Sequence, residues 1–555
     1  MENSVIIKCL NNNKSISVSR GTSLKDIAEK LGVNLSNPIL GAMVNNRLRE
    51  LNYECFKSKT VKFIDITHPD GMRMYVRSLS FVLSAAVKSL YPSAVLRIEH
   101  SVSKGFYCEL DKIEGELTEN MVTNIYKKME ELIAFDYKFE KRNDETEKVI
   151  KMFESQGMFD KSELLRHRGQ YYTSYYCLNN HVGIFYGFLV PSSGYLKVFD
   201  LNKYYKGMLL RVPKTSDPSQ VEDLVIQNKL FDIFREYSQW NRILNVTKIS
   251  DLNQSAENGK AATLIKVSEA LHEKKIANIA DKIASEKSRL KVVLISGPTS
   301  SGKTTFSKRL AIQLLVLGIT PLTLSLDNYF VNRVDTPLDE NGDYDFEAIE
   351  AIDLELFNNH LVKLMNGEEV EIPQFSFETG ERFFNGDVMQ MQKDNILIIE
   401  GIHGLNPHLT HLVSQQLKFK IYVSALTSIN IDDQTRIPTT DNRLVRRIIR
   451  DYKYRNYSAR ETIGRWSSVR RGEEKHIFPF QEEADIMFNT ALLYEFAVLK
   501  PFIEPILLEV QPNQVEYSEA NRLLRFFRYF KPMAACEIPP TSILREFLGG
   551  SSFTY

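Results

Sequence analysis

The sequence contains few cysteines, the residues that crosslink small secreted domains or bind structural zinc. Its 555 residues include five cysteines, Cys9, Cys55, Cys108, Cys177 and Cys536, and no C-x-x-C pair. A small, odd-numbered and scattered set of this kind argues against a disulfide framework and against a four-cysteine zinc site. We therefore expect a protein of the reducing cytoplasm.

The chain also lacks an excess of one charge and a long apolar run. Lys plus Arg number 70, and so do Asp plus Glu, which argues against bulk binding to nucleic acid or to a membrane surface but leaves a local basic face open. The uncharged stretch 310–326 contains Gly318 and Pro321, so it predicts a helix end and a strand rather than a membrane span. The N-terminus has no basic segment followed by an apolar signal core, and we expect mature protein there.

The length requires several folded units, because single hydrophobic cores stop growing at roughly 250–300 residues. With 43% apolar and 25% charged residues, the chain has the composition of an ordinary globular protein. The patterns predict a multidomain α/β and α+β protein. The predicted units are residues 1–67, residues 68–245, a helical linker at 246–290, a P-loop domain at 291–515 and a C-terminal extension at 516–555.

The first unit alternates short apolar runs with one amphipathic segment that Gly32 closes. This order, with GTSLKDIAEKLG and GAMVNNRLREL, resembles the TGS domain, a small ubiquitin-like β-grasp module. The resemblance implies a β-grasp sheet at the N-terminus.

The second unit contains SLSFVLSAAVKSLYP, GFYCEL, CLNNHVGIFYG and GYLKVFDL. This series resembles the second N-terminal domain of threonyl-tRNA synthetases, which follows a TGS domain and hydrolyses mischarged tRNA at an H-x-x-x-H pair and a C-x-x-x-H pair. Here Cys177 and His181 keep the second pair, but Arg77 and Phe81 stand at the first. Two ligands do not complete such a metal site. We predict that Cys177 is a small core residue and His181 a hydrogen-bonded one, and we leave open a contact with RNA or a small effector.

The strongest motif lies at the start of the P-loop domain. The apolar run 291–295 is followed by G-x-x-x-x-G-K-T, and an amphipathic run begins at Phe306, so the motif has the strand–loop–helix context that it needs. The predicted nucleotide-binding residues are Gly297, Pro298, Thr299, Ser300, Ser301, Gly302, Lys303, Thr304 and Thr305. The glycines allow a ring of backbone N–H donors, Lys303 supplies a point charge for phosphates, and Thr304 offers a hydroxyl to Mg2+. The motif predicts ATP and Mg2+ as cofactors.

Two acids end the next predicted buried strands. Asp327 follows LTLSL, where it could accept a proton from an attacking hydroxyl or could instead cap the next helix. Glu400 follows NILII, where it could hold a Mg2+-bound water or could merely cap a loop.

Arginines recur at helical spacing in NRLVRRIIRDYKYR. On a free helix such a stripe is a solvated face or a nucleic-acid contact. The C-terminal extension also mixes arginines with aromatics, and it predicts either an amphipathic helix docked on the P-loop domain or an RNA-contact strip.

Seven segments of the P-loop domain follow one order: GPTSSGKTT, SLDNYF, DYDFEAIEAIDLELF, IPQFSFETGER, ILIIEGIHGLN, RLVRRIIRDYKYRNYS and EEADIMFNT. They resemble the phosphoribulokinase/uridine kinase family, and the whole chain is similar to bacterial-type nucleoside kinases with TGS and synthetase-like domains. The resemblance implies a parallel sheet with helices on both faces, and transfer of the ATP γ-phosphate to a nucleoside 5′-hydroxyl in pyrimidine salvage.

The resemblance also implies roles for single residues. Asp327 matches the general base and Glu400 the acid of the Mg2+ site. Asp345 matches a carboxylate that binds ribose hydroxyls. Aromatic positions near the base correspond to Phe330, Tyr344 and Phe375, and arginines of the lid and substrate pocket correspond to Arg447, Arg450 and Arg455. The predicted catalytic residues are Asp327, Arg447 and the P-loop residue Lys303.

Some positions depart from uridine-cytidine kinases. Phe375 stands where those kinases carry a tyrosine, Gly380 where they carry a histidine, and Arg465 where they tend to have a glutamine. The first two departures remove polar contacts to a pyrimidine edge. Uridine or cytidine is the predicted acceptor. The alternatives are another small hydroxylated acceptor, such as a sugar phosphate or pantothenate, and an RNA- or ribosome-associated regulatory ATPase. Association into a homo-oligomer is left open.

Overall fold

We analysed a computed structural model of the protein, which describes residues 4–340 and 342–554. The chain has three successive sheet-containing units and a C-terminal extension. Within the described residues, no helix combines the length and the apolar character that crossing a membrane would require.

The N-terminal unit is a mixed five-stranded sheet with one helix. Its elements are β1 (Ser4–Cys9), β2 (Ser15–Ser19), β3 (Thr22–Ser23), α1 (Leu24–Leu31), β4 (Gly41–Val44), β5 (Arg47–Arg49), β6 (Glu54–Cys55) and β7 (Lys59–Ile64). The sheet order is β2-β1-β7-β4-β5, with β1 and β7 parallel. Helix α1 begins where the Ser23 hydroxyl accepts the Asp26 N–H, and it ends at Gly32, whose φ of 60° is left-handed. This is the predicted β-grasp arrangement, and the TGS name for it stays a prediction.

The second unit combines two antiparallel sheets with a long buried helix. Its elements are α2 (Pro69–Leu90), β8 (Val95–Val102), β9 (Gly105–Asp111), α3 (Glu119–Ala134), β10 (Glu140–Glu145), α4 (Thr146–Ser155), α5 (Phe159–Arg168), β11 (Tyr172–Leu178), β12 (His181–Gly183), β13 (Asp200–Tyr204), β14 (Gly207–Arg211) and α6 (Asn228–Ile243). The sheets have the orders β13-β14-β9-β8 and β10-β11-β12. Helix α2 contributes apolar residues such as Leu79 and Val82 to the core of this unit.

The third unit is built on a parallel sheet. Its elements up to the end of the sheet's third strand are α7 (Ile249–Glu257), α8 (Ala261–Ser285), β15 (Val292–Ser296), α9 (Lys303–Val316), β16 (Thr320–Ser325), α10 (Leu354–Met365), β17 (Glu369–Glu371), β18 (Gln374–Ser376), β19 (Glu381–Phe383), β20 (Val388–Gln390) and β21 (Asn395–Glu400). The remaining elements are β22 (Lys418–Ser424), β23 (Asn430–Asp432), β24 (Thr435–Arg436), α11 (Thr439–Tyr454), α12 (Ala459–His476), β25 (Ile486–Asn489), α13 (Glu495–Leu508), α14 (Tyr517–Phe527) and α15 (Arg545–Leu548).

The parallel strands lie in the order β16-β21-β15-β22-β25, and helices cover both faces of the sheet. Alternate residues of β15 show why. Val293 and Ile295 pack into the core that α8, α9 and α11 share, whereas Val292 and Leu294 pack into the core on the α10 side. Strands buried on both faces read as continuous apolar runs, which is the pattern seen in the sequence. The predicted fold class is confirmed.

The segment before the parallel sheet is more than a connector. Two helices, α7 and α8, occupy residues 246–290, as the apolar spacing predicts. Leu252 and Ile276 are fully buried, and they join the same core as the parallel sheet. These helices are therefore packed parts of the third unit.

The C-terminal extension packs into that core as well. Leu523, Phe526 and Phe527 of α14 have no exposed surface. Arg522 of the same helix forms a bidentate pair with Asp441 at 2.7 and 2.8 Å. The docked amphipathic helix is thus the alternative that the structure supports, because its apolar face is buried and Arg522 is paired inside the protein.

Candidate functional site

The P-loop connects β15 to α9 and has the tight geometry that its glycines allow. A β-carbon at Gly297 would lie 1.9 Å from the Val423 carbonyl oxygen, so only glycine fits there. Gly302 has a left-handed φ of 84°. The hydroxyls of Ser300 and Ser301 are buried without a hydrogen-bond partner among the described residues. Orphaned donors in a concave loop fit a phosphate ligand, which would supply the missing acceptors.

Lys303, the first residue of α9, folds back over the loop. Its ammonium group donates to the Pro298 carbonyl at 3.2 Å. Burial lowers the pKa of Lys303, and the neighbouring Glu400 and Asp327 carboxylates oppose that shift. The charge is therefore held inside the loop, close to both acids.

The predicted metal residues, Thr304 and Glu400, lie in contact. The Thr304 hydroxyl donates to the Glu400 carboxylate at 3.3 Å, and the Ser325 hydroxyl donates to the same oxygen at 2.9 Å. Burial and the charge of Asp327 raise the pKa of Glu400 to about 7. One carboxylate and one hydroxyl fit Mg2+, which takes few protein oxygens and completes its shell with phosphates and water. Within the described residues, no group of three or more His, Cys, Asp or Glu side chains forms a site for a metal ion without such a ligand.

Asp327 lies in a short turn, Leu326–Tyr329, just after the carboxyl end of β16. The cap of this turn is Ser325, whose hydroxyl accepts the Asp327 N–H. The interpretation of Asp327 as a helix cap is therefore wrong, because a neighbour performs that task. Its carboxylate is half-buried and close enough to Lys303 and Glu400 to influence their pKa values.

Helix α11 brings two arginines to the P-loop. Arg447 and Arg450 point donors at the Thr299 hydroxyl, with distances of 3.3 and 3.5 Å. Arg443 and Arg446 are buried instead. They pair with Glu473 and Glu495 respectively, at 2.7 and 2.8 Å. The solvated-face interpretation of the stripe is therefore wrong: part of it is a buried ion-pair network, and part faces the nucleotide loop.

Aromatic side chains gather beside Asp327. The rings of Phe330, Phe375 and Phe377 lie 5.3 to 6.2 Å apart, and the Arg455 guanidinium stands 4.7 Å from the centre of the Phe377 ring. Tyr344 is exposed and pairs with Phe346 at 5.9 Å. The structure thus brings Phe330 and Phe375 together, whereas Tyr344 stands outside their cluster.

Asp345 lies against the end of α12. Its carboxylate is 3.7 Å from the His476 ring. Gly472 of α12 leaves room for this loop, because a β-carbon there would lie 2.4 Å from the Glu347 side chain and 3.3 Å from the Asp345 carboxylate. Arg465, also on α12, is exposed and stacks on Tyr457.

Sequence reasoning missed Arg333. Its guanidinium carbon lies 2.7 Å from the place of a β-carbon on Gly380, and it donates to the Phe377 carbonyl at 2.7 Å. Gly380 has a φ of 77°, which disfavours a side chain there. Arg333 therefore fills the space that a residue-380 side chain would occupy, and no local sequence pattern around Arg333 predicts this contact.

The synthetase-like residues do not converge. Leu178 pairs directly with His181, and Cys177 with Val182, so Cys177 and His181 point to opposite faces of their sheet. His181 bonds to the Ser84 hydroxyl at 2.9 Å, and burial lowers its pKa to about 3. Phe81 packs 5.4 Å from the His181 ring. Cys177 is a core residue and His181 a hydrogen-bonded one, as the sequence predicts.

The geometry described above agrees with a family comparison. Residues 292–493 match the model of the phosphoribulokinase/uridine kinase family. The C-terminal part of the chain carries a domain of this family. The predicted family resemblance is confirmed, and we refer to this part below as the kinase-family domain.

Two curated relatives are similar to different parts of the chain. A uridine kinase from Halobacterium salinarum is 27% identical over 194 residues, which cover 35% of this chain and 77% of the relative. A threonine–tRNA ligase from Clostridium kluyveri is 32% identical over 203 residues, which cover 36% of this chain and 32% of the ligase. The N-terminal region carries the likeness to the ligase. The chain thus spans about a third of the length of the ligases that it matches.

Among solved structures, the chain is similar to a possible uridine kinase from Bacillus stearothermophilus. The sequences are 18% identical, and the similarity covers 36% of this chain and 89% of the other, with a TM-score of 0.23.

Proposed function

We propose that the protein is an ATP-dependent kinase that phosphorylates the 5′-hydroxyl of a nucleoside, with uridine or cytidine as the acceptor. The observation that carries this proposal is the convergence of Lys303, Asp327 and Glu400 at one edge of the parallel sheet. Ligands of open α/β sheets bind outside the carboxyl ends of the strands, which is where these three residues lie.

The proposed reaction is an in-line transfer in which the acceptor oxygen bonds to the γ-phosphorus of ATP, the bond from that phosphorus to the β–γ bridging oxygen breaks, and ADP leaves. The Asp327 carboxylate accepts the proton of the attacking hydroxyl. Lys303 and the P-loop N–H groups hold the phosphates, and Arg447 and Arg450 neutralise charge that develops on the transferring group. Thr304 and Glu400 are the residues that would hold Mg2+.

The acceptor would lie between the Phe330 and Phe375 rings and the Asp345 carboxylate. Rings of this kind stack on a base, and a carboxylate accepts hydrogen bonds from ribose hydroxyls. The missing tyrosine hydroxyl at Phe375 and the missing imidazole at Gly380 favour a loose preference among bases, because an apolar wall discriminates poorly.

A second candidate function is a regulatory ATPase that answers to RNA, supported by the similarity of the N-terminal region to threonine–tRNA ligases. The carboxylates Asp327 and Asp345 favour the kinase, because a switch ATPase has no use for an acceptor site.

Product analysis tests the proposal. The full-length protein is incubated with ATP, Mg2+ and each common nucleoside, with a sugar phosphate and pantothenate as further acceptors, and products are separated by liquid chromatography and mass spectrometry. We expect a nucleoside 5′-monophosphate, with uridine or cytidine as the best acceptor. ATP consumption that RNA stimulates and no nucleoside stimulates would contradict the proposal.

A further inference from the structure

A segment of the C-terminal extension, residues 542–548, lies on the P-loop. The Ile543 side chain comes within 2.7 Å of the place of a β-carbon on Gly302, so this glycine leaves room for that segment. The Ser542 hydroxyl donates to Glu269 of α8 at 2.5 Å, and the Phe547 ring lies 5.1 Å from the Arg446 guanidinium. Ile543 and Phe547 have no exposed surface. The C-terminal extension is therefore part of the wall of the nucleotide site.

One carboxylate of this segment, Glu546, points into that site. It is 7% exposed, and it accepts a hydrogen bond from the Thr305 hydroxyl at 2.7 Å. Its other oxygen lies 3.8 Å from the Arg450 guanidinium. Its charge also favours the protonated forms of Lys303 and Glu400: it opposes the lowering of the Lys303 pKa by burial and adds to the raising of the Glu400 pKa. Glu546 is thus a third acid, beside Asp327 and Glu400, around the P-loop lysine.

A buried acid at this place needs an explanation. A carboxylate loses its hydration on burial, and beside a phosphate-binding loop it also repels an anionic ligand. The Thr305 hydrogen bond offsets part of these costs, and a paired cation offsets more. The cation that pairs with Glu546 within 4 Å is Arg450, which also faces the P-loop.

The contacts of Arg450 show what Glu546 adds. On one side the guanidinium reaches the Thr299 hydroxyl at 3.5 Å, and on the other it reaches Glu546 at 3.8 Å. The Asp451 carboxylate lies 3.8 Å from Nε of Arg450. A free arginine side chain samples many rotamers. Contacts on several sides of the guanidinium favour the one rotamer that faces the nucleotide loop.

Building on the proposed kinase function, we infer that Glu546 is a positioning residue of the nucleotide site, which holds Arg450 and the Thr305 hydroxyl against the P-loop. The kinase-family domain is then completed by a segment that lies beyond the residues matched to the family. No sequence motif predicts this role of Glu546, because Glu546 is far from the P-loop along the chain.

A double-mutant cycle tests the inference. The variants are Glu546→Ala, Glu546→Gln, Arg450→Ala and Glu546→Ala with Arg450→Ala. Glu537→Ala is the matched control, because Glu537 lies in the same extension but is exposed and pairs with Lys266 at the surface. Steady-state kinetics with the best acceptor give kcat and the KM for ATP, and calorimetry gives the Kd for Mg·ATP.

We expect Glu546→Ala to lower kcat by about tenfold or more, with less change in the KM for ATP, because a misplaced arginine weakens chiefly the transition state. Glu546→Gln keeps an acceptor for Thr305 but loses the charge, so we expect it to lose most of the same activity. Adding Glu546→Ala to Arg450→Ala should lower kcat by much less than Glu546→Ala does alone, because only the Thr305 contact is left to lose, and Glu537→Ala should behave as wild type.

Three results would overturn the inference: a Glu546→Ala variant with wild-type kcat, multiplicative effects in the double variant, or a loss of kcat that merely follows a loss of folded protein in thermal denaturation. A wild-type protein that binds Mg·ATP but phosphorylates no acceptor would contradict the proposed function instead. The Glu546–Arg450 coupling would then be measured in the Kd for Mg·ATP, where the same non-additivity is expected and simple additivity would overturn the inference.

Discussion

The chain contains two sets of residues that resemble catalytic sites, and they differ in how their side chains converge. In the kinase-family domain, separate segments of sequence place Lys303, Asp327 and Glu400 at one edge of a parallel sheet. In the synthetase-like unit, Cys177 and His181 stand four positions apart, yet they point to opposite faces of their strands. Close spacing in sequence therefore carries less functional information than the shared carboxyl edge of a parallel sheet.

The two places also differ in electrostatic cost. The kinase-family domain keeps buried acids near one another, with the pKa of Glu400 raised to about 7 by burial and by Asp327. In the synthetase-like unit, burial lowers the pKa of His181 to about 3, and its neutral ring is satisfied by Ser84. In the first place two acids share a buried position although burial disfavours their charge, and in the second a neutral, hydrogen-bonded ring is buried. Clustered acids with a raised pKa favour a functional site, and a satisfied neutral ring is typical of a structural core.

The largest expected effect lies on the kinase side. Asp327→Asn should lower kcat by about 10²–10⁴-fold, because the amide cannot take the acceptor proton. The Kd for Mg·ATP should stay close to wild type, since the P-loop is untouched. Steady-state kinetics and calorimetry measure the two quantities. Asp335→Asn, a change at an exposed position in the following loop, is the control, and an Asp327→Asn enzyme with wild-type kcat would remove the base assignment.

The synthetase-like side should respond in stability instead. Phe81 is 1% exposed and packs against Phe139, Phe185 and His181. Phe81→Ala should lower the free energy of unfolding by about 3–5 kcal/mol, because it leaves a cavity. Denaturant unfolding measures this loss, and kcat per folded molecule should be unchanged. A large drop in kcat without a loss of stability would show that this unit takes part in the reaction.

A smaller, pH-dependent effect is expected at Glu347, which is 9% exposed and lies near Glu473 and Asp345. Burial raises its pKa from 4.5 to about 7. The unfolded chain releases this proton at lower pH than the folded one, so Glu347 costs no stability below pH 4.5 and its full cost appears above pH 7.

Glu347→Gln should therefore stabilise the protein above pH 7, by at most about 3 kcal/mol, and leave it unchanged near pH 4.5. Thermal denaturation across this range measures the difference. The exposed Glu350→Gln serves as the control. A Glu347→Gln effect that does not vary with pH would contradict the raised pKa.

The smallest expected effect is that the synthetase-like unit still binds no metal after one of the missing ligands is restored. Phe81→His places one ligand of the family's first pair beside His181, but Cys177 still faces the other side of the sheet, so only two candidate ligands converge. Zinc needs three or four convergent ligands, so we expect less than stoichiometric zinc by elemental analysis after dialysis. One tightly bound zinc per chain would show that the strand can reorient.

Much of the kinase-family domain could be predicted from sequence, because its signals are local. The apolar runs, the P-loop and the acids at the carboxyl ends of β16 and β21 each follow from a few neighbouring residues. Glu546 and Arg333 could not be predicted, because each reaches the site through tertiary packing rather than through a motif. The arginine stripe of α11 was ambiguous for the same reason: the acids that bury Arg443 and Arg446 lie on later elements.

We expect phosphoryl transfer at the P-loop edge and no hydrolysis of mischarged tRNA by the synthetase-like unit. One preparation of the full-length protein can be assayed for transfer of labelled γ-phosphate from ATP to uridine or cytidine and, in parallel, for hydrolysis of mischarged threonine tRNA. The expected result is labelled nucleoside monophosphate that Asp327→Asn abolishes, and no tRNA hydrolysis above background. Hydrolysis of the mischarged tRNA without any nucleoside phosphorylation would contradict it.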